Sequence, residues 1–596
     1  YHMEPRGDRL YAIGYDDQSS TSMAVSLFDV SDPANPTQLE RVNFGPEWGH
    51  MPEDQDRIHK AFRIFDEEGL IVMPFSGWSS NAAGYRKGYH SGIQLIDFTA
   101  DDLTLRAVVP HKGEARRAFF HDGNLIAMSD ERVEAYNIAD RDDPRLLSGV
   151  KLARWVYRTV PAGDYVAELV GDWWTREARL EIHSIDDPDS FEPVGILDLS
   201  SLRPEEAAPY YYWWEGFNYY TPRLFHNGDH IYLLWGENQY YWDYGEPPVN
   251  AQLGVAVVDI SNPADPQMVR VARFEGTFPA TYYRWYSSRA INTGDGVVQV
   301  GSTIALLDGA WNEWTTGEAG VRVLDLSDPL APQLSEPVVV HEGNQTMTLL
   351  DGDGVIALSH FEEQDGDANL VKFYLDRIDI SDPRNPVLLP AVNIPGAAVA
   401  YSEQTGQLFT MDYRRMTMDG EFECFDLQHY DSFFWENDGE GCGYYLYDLV
   451  HLQVDGNTAT VIDTLDLGDR QPYNVKMTDT TIYMDTRTSW YRWSEGIDSV
   501  DPRPRLYAVD VNDDGMLTDR HEWRLDTIYG ELIDVQGDVA LMVGGYPSTA
   551  SICHVDEAGV PVVDEEILFD WACETHVTGD RIVVANGPYG VQTIQW

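Results

Sequence analysis

Apolar and polar residues alternate in short runs along most of the chain, and one turn-forming motif follows many of these runs. The motif is an alternating run that ends in Asp, then Ser-Asp-Pro, two residues, Pro and a second apolar run. It reads LFDVSDPANPTQL at 27–39, VVDISNPADPQMV at 257–269, VLDLSDPLAPQLS at 323–335 and RIDISDPRNPVLL at 377–389. Alternation with a period of two is typical of half-buried strands. Each copy therefore predicts an antiparallel hairpin.

The chemistry of the motif explains why the chain turns there. Ser and Asp side chains accept hydrogen bonds from backbone N–H groups two residues on, and each Pro fixes φ and removes a donor. Weaker copies stand at 136–148, 182–194 and 507–519. A second hairpin with a Gly-containing turn precedes the copies, as in HNGDHIYLLWG (226–236) and HDGNLIAMSD (121–130). Two hairpins together make a four-stranded unit.

These units repeat along the chain with almost no amphipathic helical pattern between them. They begin near residues 8, 57, 115, 155, 222, 290, 346, 397, 472, 530 and 574. Four strands per unit at this spacing is typical of a β-propeller, and the eleven units exceed the roughly four to eight blades of one ring. We therefore predict an all-β fold in which residues 1–152 form a partial propeller of about three blades. Residues 153–596 would form a complete ring of seven or eight blades with aromatic-rich loop insertions.

Three segments near the start of the chain resemble, in order, motifs of a family of secreted bacterial and archaeal β-propeller domains with LVIVD-type repeats. They are LFDVSDPANP (27–36), HKAFRIFDEEGLIVMPF (59–75) and ARRAFFHDGNLIAMSD (115–130). The resemblance implies the propeller fold and an exported, cell-surface location, and it brings no catalytic residues with it. In that family, propeller sequence precedes the LFDVSDP hairpin, so we expect an upstream portion that is missing here or carried on another chain. Arg117, in the third segment, is expected to pair with an acidic neighbour.

Composition narrows the range of partners. The 596 residues include 99 Asp and Glu against 41 Lys and Arg, which gives a formal net charge of −58. Such a charge repels nucleic acids and anionic membrane surfaces, so neither is expected as a partner. No run of about 18 apolar residues is present, so we predict no membrane-spanning helix. Protein and glycan partners are compatible with the composition.

The four cysteines, Cys424, Cys442, Cys553 and Cys573, form two local pairs in the sequence. Four cysteines permit three pairings. Pairing Cys424 with Cys442 and Cys553 with Cys573 would close loops of about 20 residues and stabilise the fold. We favour two disulfides, which imply an oxidising compartment. The alternative is four buried free thiols.

Residues 510–515, DVNDDG, match the front half of an EF-hand-type calcium loop. The calcium ligands would be Asp510, Asn512, Asp514, Met516 through its carbonyl and Thr518 through its hydroxyl. The pattern then departs from the consensus, because His521 stands where the loop needs a bidentate Glu. We predict a distorted calcium loop between strands. The alternative is a turn that caps itself and binds nothing.

Aromatic residues cluster in segments between the predicted strands, at 210–220, 239–245, 282–288, 432–447 and 490–496. Rigid aromatic faces suit sugars by stacking and proteins as amphipathic anchors. The candidates for partner binding are Trp213, Trp214, Tyr240, Tyr241 and Trp242. The alternative is that these side chains pack between blades, since they cannot all face water without a large exposed apolar patch.

The chain contains no GxSxG, HExxH, P-loop or dinucleotide-binding motif. The sequence therefore favours a non-catalytic protein: an exported, cell-surface or extracellular binding or scaffold module, with calcium as its candidate cofactor. One alternative is an extracellular hydrolase or oxidoreductase with its site in the propeller channel. Another is a structural subunit of a larger surface assembly. A convergent group of His, Asp and Glu near the axis would favour the enzyme.

Overall fold

The fold is that of a multi-blade β-propeller, in which the described residues form eleven antiparallel sheets of strands close in sequence. The computed structural model describes residues 2–15, 23–53, 57–80, 86–172, 177–202, 222–237, 252–276, 296–308, 318–342, 349–364, 367–417, 434–437, 441–468, 471–478, 480–487, 505–524, 531–536, 539–544, 548–555, 561–569, 574–578, 581–587 and 590–595. Within these ranges the helices are two 3-10 turns, Ile58–Lys60 and Ser200–Leu202.

The first three sheets lie in the first quarter of the chain. Sheet 1 contains β1 (His2–Arg6), β2 (Arg9–Tyr15), β3 (Met23–Asp29) and β4 (Thr37–Phe44). Sheet 2 contains β5 (Trp48–His50), β6 (Arg63–Phe65), β7 (Leu70–Ser80), β8 (Arg86–Phe98) and β9 (Leu103–Pro110). Sheet 3 contains β10 (Ala115–His121), β11 (Asn124–Ser129), β12 (Arg132–Asn137) and β13 (Arg145–Lys151).

Four sheets follow between residues 155 and 394. Sheet 4 contains β14 (Trp155–Ala162), β15 (Tyr165–Asp172), β16 (Glu177–Ser184) and β17 (Gly195–Asp198). Sheet 5 contains β18 (Arg223–Asn227), β19 (His230–Glu237), β20 (Gln252–Asp259) and β21 (Gln267–Glu275). Sheet 6 contains β22 (Val297–Val300), β23 (Thr303–Asp308), β24 (Glu318–Asp325), β25 (Gln333–Leu334) and β26 (Val338–Glu342). Sheet 7 contains β27 (Leu350–Asp351), β28 (Val355–Gln364), β29 (Asp367–Asp379), β30 (Val387–Leu388) and β31 (Val392–Ile394).

Four more sheets lie between residues 397 and 595. Sheet 8 contains β32 (Ala397–Tyr401), β33 (Gln407–Thr417), β34 (Phe434–Asn437), β35 (Gly441–Asp455) and β36 (Thr458–Gly468). Sheet 9 contains β37 (Gln471–Met477), β38 (Thr481–Arg487), β39 (Arg505–Val511) and β40 (Leu517–Arg524). Sheet 10 contains β41 (Glu531–Gln536), β42 (Val539–Gly544), β43 (Ser548–Val555) and β44 (Pro561–Phe569). Sheet 11 contains β45 (Glu574–Thr578), β46 (Arg581–Ala585) and β47 (Val591–Gln595).

The Ser-Asp-Pro motif joins the third and fourth strands of a sheet, as its pattern predicts. In sheet 1, Asp29 Oδ1 accepts a hydrogen bond from the backbone N–H of Ser31 at 2.8 Å. Asp32 Oδ1 then accepts one from the N–H of Ala34 at 3.1 Å. In sheet 5, Asp259 caps Ser261 in the same way at 2.8 Å. The strand-ending Asp and the Asp of the motif therefore hold successive parts of one turn.

Sheet-to-sheet contacts run from sheet 4 to sheet 11 and back to sheet 4. The first strand of each of these eight sheets lies at the inner edge, because first strands contact each other across neighbouring sheets, as β27 contacts β32 and β41 contacts β45. Sheets 4 and 11 meet where the N–H of Val156 donates to the carbonyl of Gly587 at 2.8 Å. An apolar cluster that includes Val166, Val583 and Val591 fills the same contact. The division of the chain at residues 152 and 153 stays a prediction.

Sheets 1, 2 and 3 pack face to face through apolar clusters of their own. One cluster joins sheets 1 and 2, and another joins sheets 2 and 3. In the second cluster, Leu125 and Ala127 of β11 pack with Val72 and Leu95 of sheet 2. Sheet 3 is therefore the last layer of this stack.

Candidate functional site

Polar side chains converge where sheets 2 and 3 meet, and we call the place of this contact their inner edge. Ser76 Oγ lies 2.7 Å from His50 Nε2, and Glu114 Oε1 lies 3.3 Å from the same nitrogen. His50 and Ser76 are direct partners in the register of β5 and β7. A glycine makes this register possible, because a Cβ on Gly77 would lie 2.2 Å from the carbonyl oxygen of Trp48. We call His50, Ser76 and Glu114 the inner cluster.

Charged neighbours set the protonation of the inner cluster. Arg116 Nη2 lies 2.9 Å from Glu114 Oε2, and the N–H of Glu114 donates to Asp130 Oδ1 at 2.7 Å. Burial raises the pKa of Glu114, but the hydrogen bond from His50 and the charge of Arg116 together bring it below its ordinary value. Burial raises the pKa of Asp130 above its ordinary value. The two carboxyl groups therefore differ in their affinity for a proton.

The inner cluster has one feature of a nucleophilic site and lacks two others. The distance between Ser76 and His50 is within the range for a nucleophile and its base. Glu114, however, approaches Nε2 of His50, whereas a triad needs a carboxylate on the opposite ring nitrogen, Nδ1. Ser76 is also 0 % exposed, so substrate has no access to its hydroxyl in this conformation. The geometry is that of a polar junction between two sheets.

A second cluster lies deeper, in sheet 4. Glu168 on β15 and Glu181 and His183 on β16 are all buried, and their ligand-type atoms lie within 4.8 Å of one another. Among the described residues they are the group with the spacing of a metal site. Arg154 Nη1 lies 2.8 Å from Glu168 Oε2, 2.9 Å from Glu181 Oε2 and 2.7 Å from His183 Nε2. A guanidinium cation therefore stands where a metal ion would have to bind, so the residues present do not fit a metal.

The pKa values of the two carboxyl groups in this cluster are shifted in opposite directions. Burial raises the pKa of Glu168 well above its ordinary value. Burial acts in the same direction on Glu181, but the hydrogen bond from His183 and the charges of Arg179 and Arg154 outweigh it and lower the pKa of Glu181 to about 2. Arg179 Nε lies 2.9 Å from Glu181 Oε1 and supplies a second cation. We call Arg154, Glu168, Glu181 and His183 the arginine cluster.

Comparison with known proteins places the chain among propellers. Residues 4–141 match the family described as "Beta propeller domain", and residues 251–271 match the "LVIVD repeat" family. The chain is a β-propeller protein with LVIVD-type repeats. No curated protein matches it.

Three solved structures resemble the propeller only weakly and share little sequence with it. The tricorn protease has a TM-score of 0.34 and 10 % identity, over 95 % of this chain and 49 % of its own, so the propeller spans about half the length of that protein. Hsv2 of Kluyvelomyces marxianus has a TM-score of 0.35 and 8 % identity, over 70 % of this chain and 99 % of its own. Apo AztD from Citrobacter koseri has a TM-score of 0.29 and 12 % identity, over 87 % of this chain and 95 % of its own.

The predicted calcium loop is the turn between β39 and β40 of the propeller. Asn512 Oδ1 accepts hydrogen bonds from the N–H groups of Asp514 at 3.0 Å and Met516 at 2.8 Å. The carbonyl of Met516 accepts from the N–H of Asn512 at 3.1 Å, and Asp510 Oδ1 accepts from the Thr481 hydroxyl at 3.0 Å. Thr518 lies on β40, directly opposite Asp510. The oxygens of Asn512, Met516 and Asp510 thus already bond within the sheet, and calcium binding stays a prediction.

The other sequence-predicted residues lie mostly outside the described ranges. This applies to Trp213, Trp214, Tyr240, Tyr241 and Trp242, and to Cys424 and Cys573. Cys442 lies on β35 of sheet 8, and Cys553 lies on β43 of sheet 10. The aromatic interface and the two disulfides therefore stay predictions. In the part of the chain that the structure describes, no helix is long and apolar enough to cross a membrane.

The sequence predicts one contact beside the inner cluster and neither of the two clusters. Arg117 Nη2 pairs with Glu53 Oε1 at 3.2 Å, which confirms the expected acidic neighbour. The arginine cluster had one signal in the sequence, since Glu168 interrupts the largely apolar strand YVAELVGD. Glu181 and His183 gave none, because polar and apolar residues alternate in EARLEIHS as in an ordinary half-buried strand. The inner cluster had none, because its members come from three separate strands or turns.

Proposed function

We propose that this propeller is an exported or cell-surface binding and scaffold module whose partner is a protein. The observation that supports this best is an apolar face of sheet 3 whose members belong to none of the apolar clusters formed by the described residues. Its members come from all four strands of the sheet: Phe119, Ile126, Met128, Val133 and Val150. We call this set the open face.

The alternation of burial along β11 defines the open face. Leu125 and Ala127 point toward sheet 2 and are fully buried. Side chains of a strand alternate between its two faces, so Ile126 and Met128 point away from sheet 2, and both are only half-buried. Their cross-strand partners continue the face, since Phe119 lies opposite Ile126, and Val133 lies opposite Met128. Phe119 is 40 % exposed, and Val150 on the outer strand is 65 % exposed.

Central strands of sheets 4 to 11 show what normally covers such a face. In β28 of sheet 7, residues 355–361 are buried at every position, and in β38 of sheet 9, residues 481–486 are too. These strands have a packed sheet on either side, whereas sheet 3 has one on a single side among the described residues. Sheets pack face to face through such apolar surfaces, and a contiguous exposed patch marks an interaction site. The open face therefore fits a partner that presents a flat apolar surface.

The chemistry of the open face favours a protein over a glycan. Four of its five members are aliphatic or thioether side chains, which fill the gaps of a packed interface. Sugars instead need flat aromatic rings for stacking. The proposed location at the cell surface rests on the resemblance of the first segments to secreted propeller domains and on the cysteine pattern, and calcium is retained as a candidate stabiliser of the β39–β40 turn.

Site-specific photo-crosslinking tests this function. A benzophenone side chain is placed at Phe119 or at Val133 in the protein secreted by its own host, with Val461 as the control. Val461 lies on outer strand β36 and is 52 % exposed, so it matches Val150 in character but belongs to sheet 8. We expect the Phe119 and Val133 positions to capture the same protein and Val461 not to capture it.

The other outcomes of the crosslinking either contradict the proposal or assign the open face to a different kind of partner. Equal capture at all three positions, or no adduct at Phe119 and Val133, contradicts the proposal. An adduct that glycosidases remove would assign a glycan instead. An adduct of this chain with itself would support the larger-assembly alternative over a separate partner.

A hydrolase is the second candidate, on the strength of the 2.7 Å contact between Ser76 and His50. The native protein is treated with a fluorophosphonate probe, beside a Ser76→Ala variant. Labelling of the native chain that the variant loses would establish an activated serine. Equal or absent labelling rejects this candidate.

A further inference from the structure

The first and last sheets of the contact sequence meet without exchanging a strand. Sheet 4 consists of β14 to β17 and sheet 11 of β45 to β47, each consecutive in the chain. Their contact is instead made by side chains and by a few backbone groups. Arg581 Nη1 donates to the carbonyl of Ile185 at 2.7 Å, and Asp189 Oδ1 accepts from the N–H of Val591 at 3.4 Å. We call this contact the seam.

The arginine cluster borders the seam. Arg154 Nη2 donates to the carbonyl of Pro188 at 2.8 Å, while Nη1 contacts the three buried side chains of β15 and β16. Pro188 precedes Asp189, the residue that accepts from Val591 of β47. One guanidinium therefore connects the interior of sheet 4 to the loop that contacts the last sheet.

The arginine cluster is buried. Arg154, Glu168 and His183 are all at least nine-tenths buried. Glu168 Oε1 and His183 Nδ1 are buried without a hydrogen-bond partner, so the charge balance of the group depends on Arg154. Arg179 lies on the outer side of Glu181 and keeps one cation in place if Arg154 is removed.

We propose that Arg154 stabilises the seam between sheets 4 and 11. Its guanidinium takes the position of a metal ion among Glu168, Glu181 and His183, and through Pro188 and Asp189 it holds sheet 11 against sheet 4. Two consequences follow. Removal of the guanidinium loosens the seam before it loosens the rest of the molecule. It also leaves two carboxylates and one imidazole at a spacing that suits Zn²⁺, which is bound by these same ligand types.

Hydrogen exchange on the full chain tests the first consequence. Arg154→Ala is compared with the native chain and with Arg384→Ala, which removes another contact between two sheets, the 2.9 Å pair of Arg384 Nε and Asp325 Oδ2. We expect Arg154→Ala to speed amide exchange about tenfold or more in β14 and β45 to β47, with β28 and β38 unchanged. Arg384→Ala should leave the seam unchanged. Exchange at the seam within about twofold of native, or equal acceleration throughout the molecule, overturns the proposal.

Zinc chloride tests the second consequence. We expect it to slow exchange at the seam of Arg154→Ala toward the native rate, and to have no such effect on the native chain or on Arg154→Ala/His183→Ala. Failure of zinc to act on Arg154→Ala contradicts the metal-like position of the guanidinium.

If Arg154→Ala does not fold, Arg154→Lys keeps the charge and loses the fork of donors. Arg154→Lys should then speed amide exchange at the seam alone, and unchanged exchange there overturns the proposal.

Discussion

At the scale of single residues, much of the acidity of the chain serves the backbone. Asp29 and Asp259 end strands and cap the N–H of the Ser two residues on. Hydrogen bonds from these serines lower the pKa of both carboxyl groups below the ordinary value. The net charge of −58 is therefore partly a consequence of building repeated turns from Asp, and it says less about partners than its size suggests.

These carboxylates predict that acid destabilises the fold. Because the pKa values of Asp29, Asp259 and Glu181 are lowered in the folded state, their contribution is fully present above about pH 4.5 and is lost as the pH falls toward 2. Glu168 acts on stability in the opposite direction. Because its pKa is raised in the folded state, its contribution to stability is present at low pH and is lost as the pH rises through the folded pKa. Thermal unfolding between pH 2 and 7 checks this, with Glu181→Gln expected to flatten the acid limb. A melting temperature that is constant below pH 4.5 would contradict it.

Two motif aspartates should differ in how much they contribute to the free energy of unfolding. Asp325 is buried, caps Ser327 at 2.9 Å and pairs with Arg384 at 2.9 Å, whereas Asp379 caps Ser381 at 2.8 Å in a less buried turn. Asp325→Asn leaves Arg384 without its charged partner, so we expect a loss of about 1–3 kcal/mol in unfolding free energy. Asp379→Asn should cost about 1 kcal/mol or less. Urea unfolding of both variants measures the difference, and equal losses would refute this reasoning.

At the scale of strands and turns, backbone geometry selects glycine at particular positions. Gly396 lies between β31 and β32 with φ +69°, and a Cβ there would lie 2.1 Å from the carbonyl oxygen of Met411. Gly228 in the β18–β19 turn has φ +60° with nothing within 4 Å of its Cβ position. We expect Gly396→Ala to cost more than about 2 kcal/mol and Gly228→Ala about 1 kcal/mol, measured by thermal unfolding. A smaller loss for Gly396→Ala than for Gly228→Ala would contradict the steric argument.

Strand patterns predicted most sheets well because their hairpins use strong local signals. The expected unit starts near residues 115, 155, 397 and 574 coincide with the first residues of β10, β14, β32 and β45. Sheets 1 and 2 begin earlier than predicted, at His2 and Trp48. Their first strands, HMEPR and WGH, contain a proline or are only three residues long, so they show no alternation.

Clusters between strands could not be predicted in the same way. The partners His50, Ser76 and Glu114 depend on the register of β5 with β7 and on how sheet 3 packs against sheet 2. The role of Arg154 depends on contact with β47, more than 400 residues later in the chain. Neither the register nor this contact leaves a periodic signal in the sequence.

At the scale of the whole molecule, two kinds of sheet packing occur. Sheets 4 to 11 contact one another in sequence, and the last returns to the first at the seam. Sheets 1 to 3 form a stack that ends in the open face of sheet 3. The first arrangement closes on itself at the seam, and the second presents an apolar surface. We infer that stability and partner binding are assigned to different parts of the chain.

Single-particle electron microscopy of the full chain tests this account most directly, because it counts blades. We expect one ring of eight blades around a single channel, with a separate density of three sheets attached near residue 152. A ring of seven or of nine or more blades, or a last sheet that does not touch sheet 4, would contradict it.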